Sequence, residues 1–266
     1  MVDSLPLVSI IIPTCDGARF VRETINSALS QTYEDIEVIV VDDGSRDETV
    51  AITSSFDDPR LTVITLPEPS GHAARPRNMG AVASKGSLIA PLDHDDLAHP
   101  ERVARQVEHF ARDPQLVLLG AQGVRIDGAG IEIGPWSVPT GEDRVVKALR
   151  WGCPFIHSAT MFRREAFDEV GGYDERPVMA QDHALWLRLA GIGGVDNLPD
   201  VLCSYRIHPT QITQSKLMNG DDKAAISEAR LAMAKGRGES IQMAELRQRV
   251  WVWRHAFRAF RRVLRA

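Results

Sequence analysis

The sequence predicts an α/β fold, a mostly parallel β-sheet flanked by helices. Three observations carry that expectation. Short apolar runs rich in β-branched residues alternate with stretches of helical periodicity. The turns that follow the runs are acidic or rich in glycine. The composition, 44% hydrophobic and 25% charged over 266 residues, is that of a globular chain long enough to bury a substantial core.

The first run, Leu7 to Ile12, reads as a strand buried on both faces and stopped by Pro13. After the turn Thr14-Cys-Asp-Gly17, residues Phe20, Val21, Ile25, Ala28 and Leu29 recur at helical spacing. Ile36 to Val41 is a second strand, Asp42 to Ser45 a turn, and Glu48 to Phe56 a helix. Leu61 to Leu66, Ala73 to Ser84 and Ser87 to Leu92 continue the pattern as strand, helix and strand. Ligands of such sheets bind beyond the carboxyl ends of the strands, where these acidic turns fall.

After Pro100 the order loosens. Arg102 to Phe110 is helical in pattern, Val117 to Ile126 strand-like, and Asp127-Gly-Ala-Gly130 a turn; Gln181 to Leu189 forms a later helix. Glu239 to Ala266 has helical propensity, with Trp253, Phe257, Phe260 and Leu264 roughly on one face. The chain therefore divides into a first half over 1–98, a second half of the same domain over 99–215, and a helical extension over 216–266.

A formal net charge of −5 argues against a general nucleic-acid binder, which needs excess cations to displace phosphate counterions. From Glu245 onward the charge is +6, leaving −11 for the rest. Cys15, Cys153 and Cys203 are widely spaced and form no C-x-x-C pair, so neither a disulfide framework nor a zinc site is expected, and a reducing cytoplasm fits. The run Leu7 to Ile12 is too brief for a signal-peptide core or a membrane span.

Five constellations carry chemistry. Leu92-Asp-His-Asp-Asp96 sets three carboxylates in four residues at a strand end, which is costly without a cation or donors. On an extended chain Asp93 and Asp95 project together and suit a hard divalent ion bridging to phosphate; alone, the tripeptide also reads as a solvated turn capping the helix near Pro100. Asp42 and Asp43 end the second strand, where a carboxylate accepts from a base or ribose, or simply caps a helix. Arg75 and Arg77 lie in a segment, Ser70 to Gly80, that suits a diphosphate at a helix start or forms an exposed basic face. Asp182 stands at the polar start of the Gln181 helix, where a carboxylate is also stabilising by itself, and Trp186 falls on that helix's apolar stripe. Finally, Arg206 and His208 alternate with Tyr205 and Ile207 across a strand.

In this order the segments Val8-Ser-Ile-Ile-Ile-Pro-Thr14, Ser27-Ala-Leu-Ser-Gln-Thr-Tyr33, Val40-Val-Asp-Asp-Gly-Ser45, Arg77-Asn-Met-Gly80, Leu92 to Asp96, Gly171-Gly-Tyr-Asp-Glu175 and Gln181-Asp182 resemble the family-two inverting glycosyltransferases of the GT-A fold. The likeness runs from Leu7 to His208. It implies a Rossmann-like sheet whose 1–98 half binds a nucleotide sugar, uridine diphosphate being the commonest nucleotide, and whose 99–215 half receives a saccharide or lipid-linked acceptor.

Residue by residue, the resemblance implies that Pro13, Thr14 and Asp16 line the nucleotide pocket and that Asp42 or Asp43 holds the base. Arg77 then contacts base or diphosphate, Asp93 lies near the ribose, and Asp95 binds a divalent metal, Mn2+ or Mg2+. Asp182 becomes the general base, and His208 a further ligand for metal or diphosphate. One departure stands out: the family's usual Glu-Asp pair is Gln181-Asp182 here.

Two other function classes compete. A sugar nucleotidyltransferase also binds nucleotide and metal on an α/β sheet, and a non-catalytic sugar-nucleotide-binding protein would tolerate Gln181. A dehydrogenase is disfavoured because the first strand lacks a G-x-G-x-x-G turn. The basic C-terminal helix has two expectations, packing on the domain or peripheral contact with anionic lipid.

Overall fold

The computed structural model describes residues 5–209, 211 and 218–251 of the chain. In chain order its elements are β1 (Val8–Thr14), α1 (Val21–Leu29), β2 (Ile36–Asp42), α2 (Thr49–Ser54), β3 (Leu61–Thr65), α3 (Ala74–Ala83), β4 (Leu88–Pro91), β5 (Leu97–Ala98) and α4 (Arg102–Arg112). Then follow β6 (Leu116–Ile126), β7 (Glu132–Trp136), α5 (Glu142–Leu149), a 3₁₀ turn at His157–Ala159, β8 (Met161–Arg163), α6 (Arg164–Glu169), α7 (Gln181–Leu189), β9 (Gly194–Arg206) and α8 (Gly220–Gly236). A further helical run covers 241–251.

One sheet carries all these strands, in the order β3-β2-β1-β4-β8-β6-β9-β5, with β7 paired to β6. β3, β2, β1 and β4 are parallel, as are β6 and β9; β8 joins the two sets antiparallel to both its neighbours. Burial on both faces explains why β1 is apolar at Val8 and from Ile10 to Pro13. Ile11 joins the core under α3, α5, α6, α7 and α8, whereas Val8, Ile10 and Ile12 join the core under α1 and α4. α4 shows the same logic at helical spacing, burying Val103, Gln106, Val107 and Phe110.

Pro13 does not stop β1; it lies in register opposite Val41 of β2. Thr14 gives its carbonyl to the amide of Asp43 on the β2 side, and Ile11 gives its carbonyl to Leu92 on the β4 side. The proline nitrogen therefore faces the β4 side, beyond the last pair at Pro91, where no ladder partner needs an N–H. The strand runs on until Thr14 and Asp42 stand side by side.

The described part of the C-terminal extension packs on the domain. α8 lies against α7 and buries Ala225, Ile226, Ala229 and Met233, while Trp251 is buried with the Arg230 guanidinium 4.2 Å from its ring. Asn219 and Asp222 form a capping box, and the other oxygen of Asp222 accepts the amides of Val178 and Met179, just ahead of α7. Trp253, Phe257, Phe260 and Leu264 lie outside the described residues. No described helix is long and apolar enough to cross a membrane.

Two glycines separate steric from conformational demand. Gly44 turns the chain at φ +67°, and a Cβ there would lie 2.6 Å from backbone atoms of Glu68 and Pro69; Gly171, at φ +79°, has open space around it. Gly171→Ala is expected to cost about 1 kcal/mol, the conformational penalty alone. Gly44→Ala is expected to cost at least about twice that. Urea unfolding of the two variants measures the difference, and equal losses would show that the Gly44 contact relaxes freely.

Candidate functional site

The carboxyl ends of β1, β2 and β4 meet at one rim of the sheet. Thr14 pairs with Asp42 across β1 and β2, and both are buried. Thr14 Oγ1 and Asp42 Oδ1 have no hydrogen-bond partner among the described residues, although the other Asp42 oxygen accepts from the Ser45 amide. A buried acceptor left open in this way is uncommon. Asp43 is fully engaged: both its oxygens accept the Ser70 amide at 3.0 Å, and one also accepts the Ser70 hydroxyl at 2.7 Å. Asp16 adopts a left-handed φ of +50°, stabilised by accepting the Arg46 amide while its own amide donates to Ser45.

The acidic segment after β4 is not extended. The amide of Asp96 donates to the carbonyl of Asp93, closing a turn, so strand alternation does not aim Asp93 and Asp95 at one point. The segment does not cap α4 either, whose first turn begins at Arg102 without a side-chain cap. Each carboxylate has its own environment. Asp93 accepts from Arg77 at 2.7 Å and lies 3.2 Å from His157 Nδ1. Asp95 faces His208, with Oδ2 and Nε2 2.9 Å apart. Asp96 is buried, accepting the Ser158 hydroxyl and, at 2.9 Å, the Arg206 amide. Burial and the neighbouring Asp95 and Asp93 charges push its carboxyl well above the usual range.

Arg77, on α3, ties the acidic turn to α7. Its guanidinium donates to Asp93 and, at 3.2 Å, to Gln181 Oε1, and stands 5.5 Å from the centre of the Tyr173 ring. Both Asp93 and Asp182 act on its charge, which places Asp182 within the same electrostatic environment. Gln181 is buried and its Nε2 donates to the carbonyls of Pro177 and Val178, so it closes the loop ahead of α7. Asp182 is partly exposed, receives its own helix's His183 amide, and has Cys153 Sγ at 4.0 Å from Oδ2. It does not serve as the helix cap, because α7 is capped at Ala180 without a side chain. Trp186, as its place on the apolar stripe predicts, is wholly buried.

Asn78, beside Arg77, secures the loop that carries Tyr173. Its amide donates to the Tyr173 carbonyl and to Glu175, and its oxygen accepts the Tyr173 amide. The Tyr173 hydroxyl lies 3.0 Å from His157 Nε2, completing a chain from Asp93 through His157 to Tyr173.

Asp95 and His208 lie side by side; the carboxylate suits Mn2+ or Mg2+, whereas an imidazole ligand favours Mn2+ over Mg2+. Among the described residues no group of three or more His, Cys, Asp or Glu side chains could hold a metal ion. Asp93 and Asp96 are committed elsewhere. An ion on this pair fits if phosphate and water oxygens complete its shell, the usual arrangement for magnesium-type sites.

The model of glycosyl transferase family 2 matches residues 9–171, more than half the chain. The chain belongs to glycosyl transferase family 2. Its relatives include an uncharacterised glycosyltransferase of Rickettsia prowazekii, 32% identical over 217 residues that cover 80% of this chain and 67% of the relative. A match to a Rickettsia bellii glycosyltransferase spans 77% of this chain but only 30% of that protein. Among solved structures, Staphylococcus aureus TarS in complex with UDP-GlcNAc superposes with a TM-score of 0.73 at 18% identity, covering 94% of this chain and 72% of that one. Mannosyltransferase PcManGT from Pyrobaculum calidifontis, in complex with GDP-Man and Mn2+, superposes with a TM-score of 0.61 at 20% identity, covering 96% and 85%. The structures share the fold. As a family 2 member the chain is a glycosyltransferase of GT-A architecture.

The candidate site also contains residues that carry no motif in the sequence. His157 and Ser158 contact the acidic turn from positions 62 to 65 residues away in the chain, and Tyr173 reaches it through His157. A lone histidine and serine after the apolar pair Phe155-Ile156 carry no motif. Tyr173 falls within Gly171-Gly-Tyr-Asp-Glu175, a segment that by itself gives the tyrosine no role.

Burial alone would raise the Asp93 carboxyl, yet the nearby His157 and Arg77, the latter with a hydrogen bond, hold it well below the usual carboxylate range. A depressed native value contributes stability above the unfolded value, about 3.9, and that contribution fades as pH falls below it. Asp93→Asn should therefore lower unfolding free energy at neutral pH, with the gap to the unaltered protein closing in acid. Urea titrations across that range test this; a gap independent of pH would assign the loss to packing.

Proposed function

We propose that the chain is an inverting glycosyltransferase that moves a sugar from a nucleoside diphosphate, most simply uridine diphosphate, to a hydroxyl of a saccharide or lipid-linked acceptor. The observation that carries this reading is the Arg77 bridge, which joins the donor-side turn at Asp93 to Gln181, next to Asp182. TarS with UDP-GlcNAc and PcManGT with GDP-Man and Mn2+ support a nucleotide-sugar donor and a divalent ion.

On this reading Pro13, Thr14 and Asp16 line the nucleotide pocket, and Asp42 or Asp43 holds the base, the open oxygen being that of Asp42. The open oxygens of Thr14 and Asp42 are, respectively, the hydroxyl and the acceptor that a base or ribose would engage. Asp93 lies near the ribose. Arg77 offers positive charge where the diphosphate departs, and its own charge is balanced by Asp93, because Gln181 is neutral. Asp95 and His208 would hold a divalent ion, which when bound supplies further positive charge to the diphosphate. Asp182 accepts the proton of the acceptor hydroxyl as that oxygen attacks the anomeric carbon from the face opposite the leaving group. One C–O bond forms, one breaks, and the nucleoside diphosphate leaves.

Asp182→Asn should lower transfer by at least about 100-fold while nucleotide binding stays intact. Asp95→Ala should remove the manganese-dependent part of nucleotide binding. Titration of UDP and GDP with and without Mn2+, with product analysis, provides both readouts. Release of nucleoside diphosphate supports transfer, release of pyrophosphate supports a nucleotidyltransferase, and unchanged turnover in Asp182→Asn rejects the base.

A further inference from the structure

A cleft of about 380 Å³ opens where β6, β7 and the end of β9 meet, lined by Arg125, Trp136, Ser137, Tyr205, Ile207 and Gln211. None of these residues has a role in the proposed donor or base site. The register explains the lining. Gly123 of β6 pairs with Trp136, and Arg125 pairs with Gly134 on one side and Tyr205 on the other. Paired residues share a face, and positions two apart on one strand share it too, so Trp136, Arg125 and Tyr205 project together.

The aromatic pair forms an angled wall, with ring centroids 4.5 Å apart and planes at 87°. Arg125 stands at its lip. The β6–β7 ladder shifts register right after Arg125, a bulge of the kind that re-aims a side chain. Opposite it, Gly134 has φ +138°, and a Cβ there would come within 3.4 Å of the guanidinium, so bare backbone makes room for it. Arg125 is exposed, and among the described residues its guanidinium has neither an ion pair nor a hydrogen bond.

The far end of the cleft adjoins the proposed diphosphate side. Gln211 donates to the Arg206 carbonyl and accepts the His208 amide. Tyr205 and Ile207 line the cleft, whereas Arg206 and His208 turn the other way, to Asp95. The cleft and the Asp95–His208 pair are thus set back to back across one strand.

We infer that this cleft binds an anionic saccharide unit, with the C–H face of a pyranose against Trp136 and Tyr205 and its carboxylate or phosphate on Arg125. Aromatic walls supply apolar contact to the ring, Ser137 offers a hydroxyl to sugar hydroxyls, and an unpaired guanidinium fits an anion through two parallel hydrogen bonds. The role of the bound unit rests on the glycosyl-transfer reading: it is a part of the acceptor remote from the reacting hydroxyl.

Isothermal titration of the full chain tests the cleft with a glucuronate-containing tetrasaccharide, the neutral tetrasaccharide of N-acetylglucosamine, and a phosphorylated tetrasaccharide. At least one anionic probe should bind about ten-fold more tightly than the neutral one, and the stronger of the two identifies the anion. Arg125→Ala should erase that margin, Arg125→Lys should keep part of it, and Trp136→Ala should weaken anionic and neutral probes alike. UDP binding with Mn2+ should be unchanged in all three variants, which also shows that they fold. Equal affinity for charged and neutral probes, no binding at millimolar concentration, or variants that bind as the unaltered protein does would overturn the inference. Saccharide binding that survives in Asp182→Asn while transfer does not separates the two claims: a failed base leaves the cleft standing, and a failed cleft leaves the base standing.

Discussion

The buried guanidinium of Arg77 is the constraint on which the site depends. It is a fixed positive charge with only 11% of its side chain exposed, and three segments supply its environment: Asp93 after β4, Gln181 at the start of α7 and the ring of Tyr173 between them. Removing a partner of such a charge costs more than the pair is worth, because the remaining charge stays out of water. Helix α3, the acidic turn and α7 therefore hold their relative positions through one side chain. A neutral Gln181 suits this arrangement. Its oxygen accepts from Arg77 while its amide nitrogen serves two backbone carbonyls, and a carboxylate at the same place could only repel those carbonyls.

The acidic turn solves its own repulsion by treating three like groups differently. Asp93 is held ionised beside the Arg77 guanidinium, Asp96 is pushed toward its neutral form by burial, and Asp95 faces an imidazole. Arg206 braces the turn from the opposite side. Its amide bonds Asp96, its Nε bonds the Asp95 carbonyl, and its guanidinium lies 4.6 Å from the Phe20 ring and pairs with Glu23 of α1. The end of β9 is in this way fastened to the end of β4.

What could be read in the sequence is what depends on neighbours along the chain. The apolar run at β1 is buried on both faces, α7 spans the expected Gln181–Leu189, and the turn signal at Asp127 to Gly130 joins β6 to β7. Pro13 misled because its tolerance depends on where β4 ends, a fact of pairing and not of local preference. The acidic tripeptide likewise reads as extended along the chain, whereas the hydrogen bond from Asp96 to Asp93 bends it. His157 and Tyr173 were silent because their meaning arises only when segments distant in sequence close on Asp93. Short β8, three residues antiparallel between β4 and β6, gave no periodicity to detect.

Asp222 ties the C-terminal extension to the start of α7. One carboxylate starts helix α8 and, through its second oxygen, clasps the two amides that lead into α7 and its Gln181-Asp182 pair. The extension is thus less an appendage than a buttress. Whatever pulls on α8, whether a neighbouring domain or a surface on which the protein rests, would be felt three residues after Met179, at the carboxylate proposed as the base.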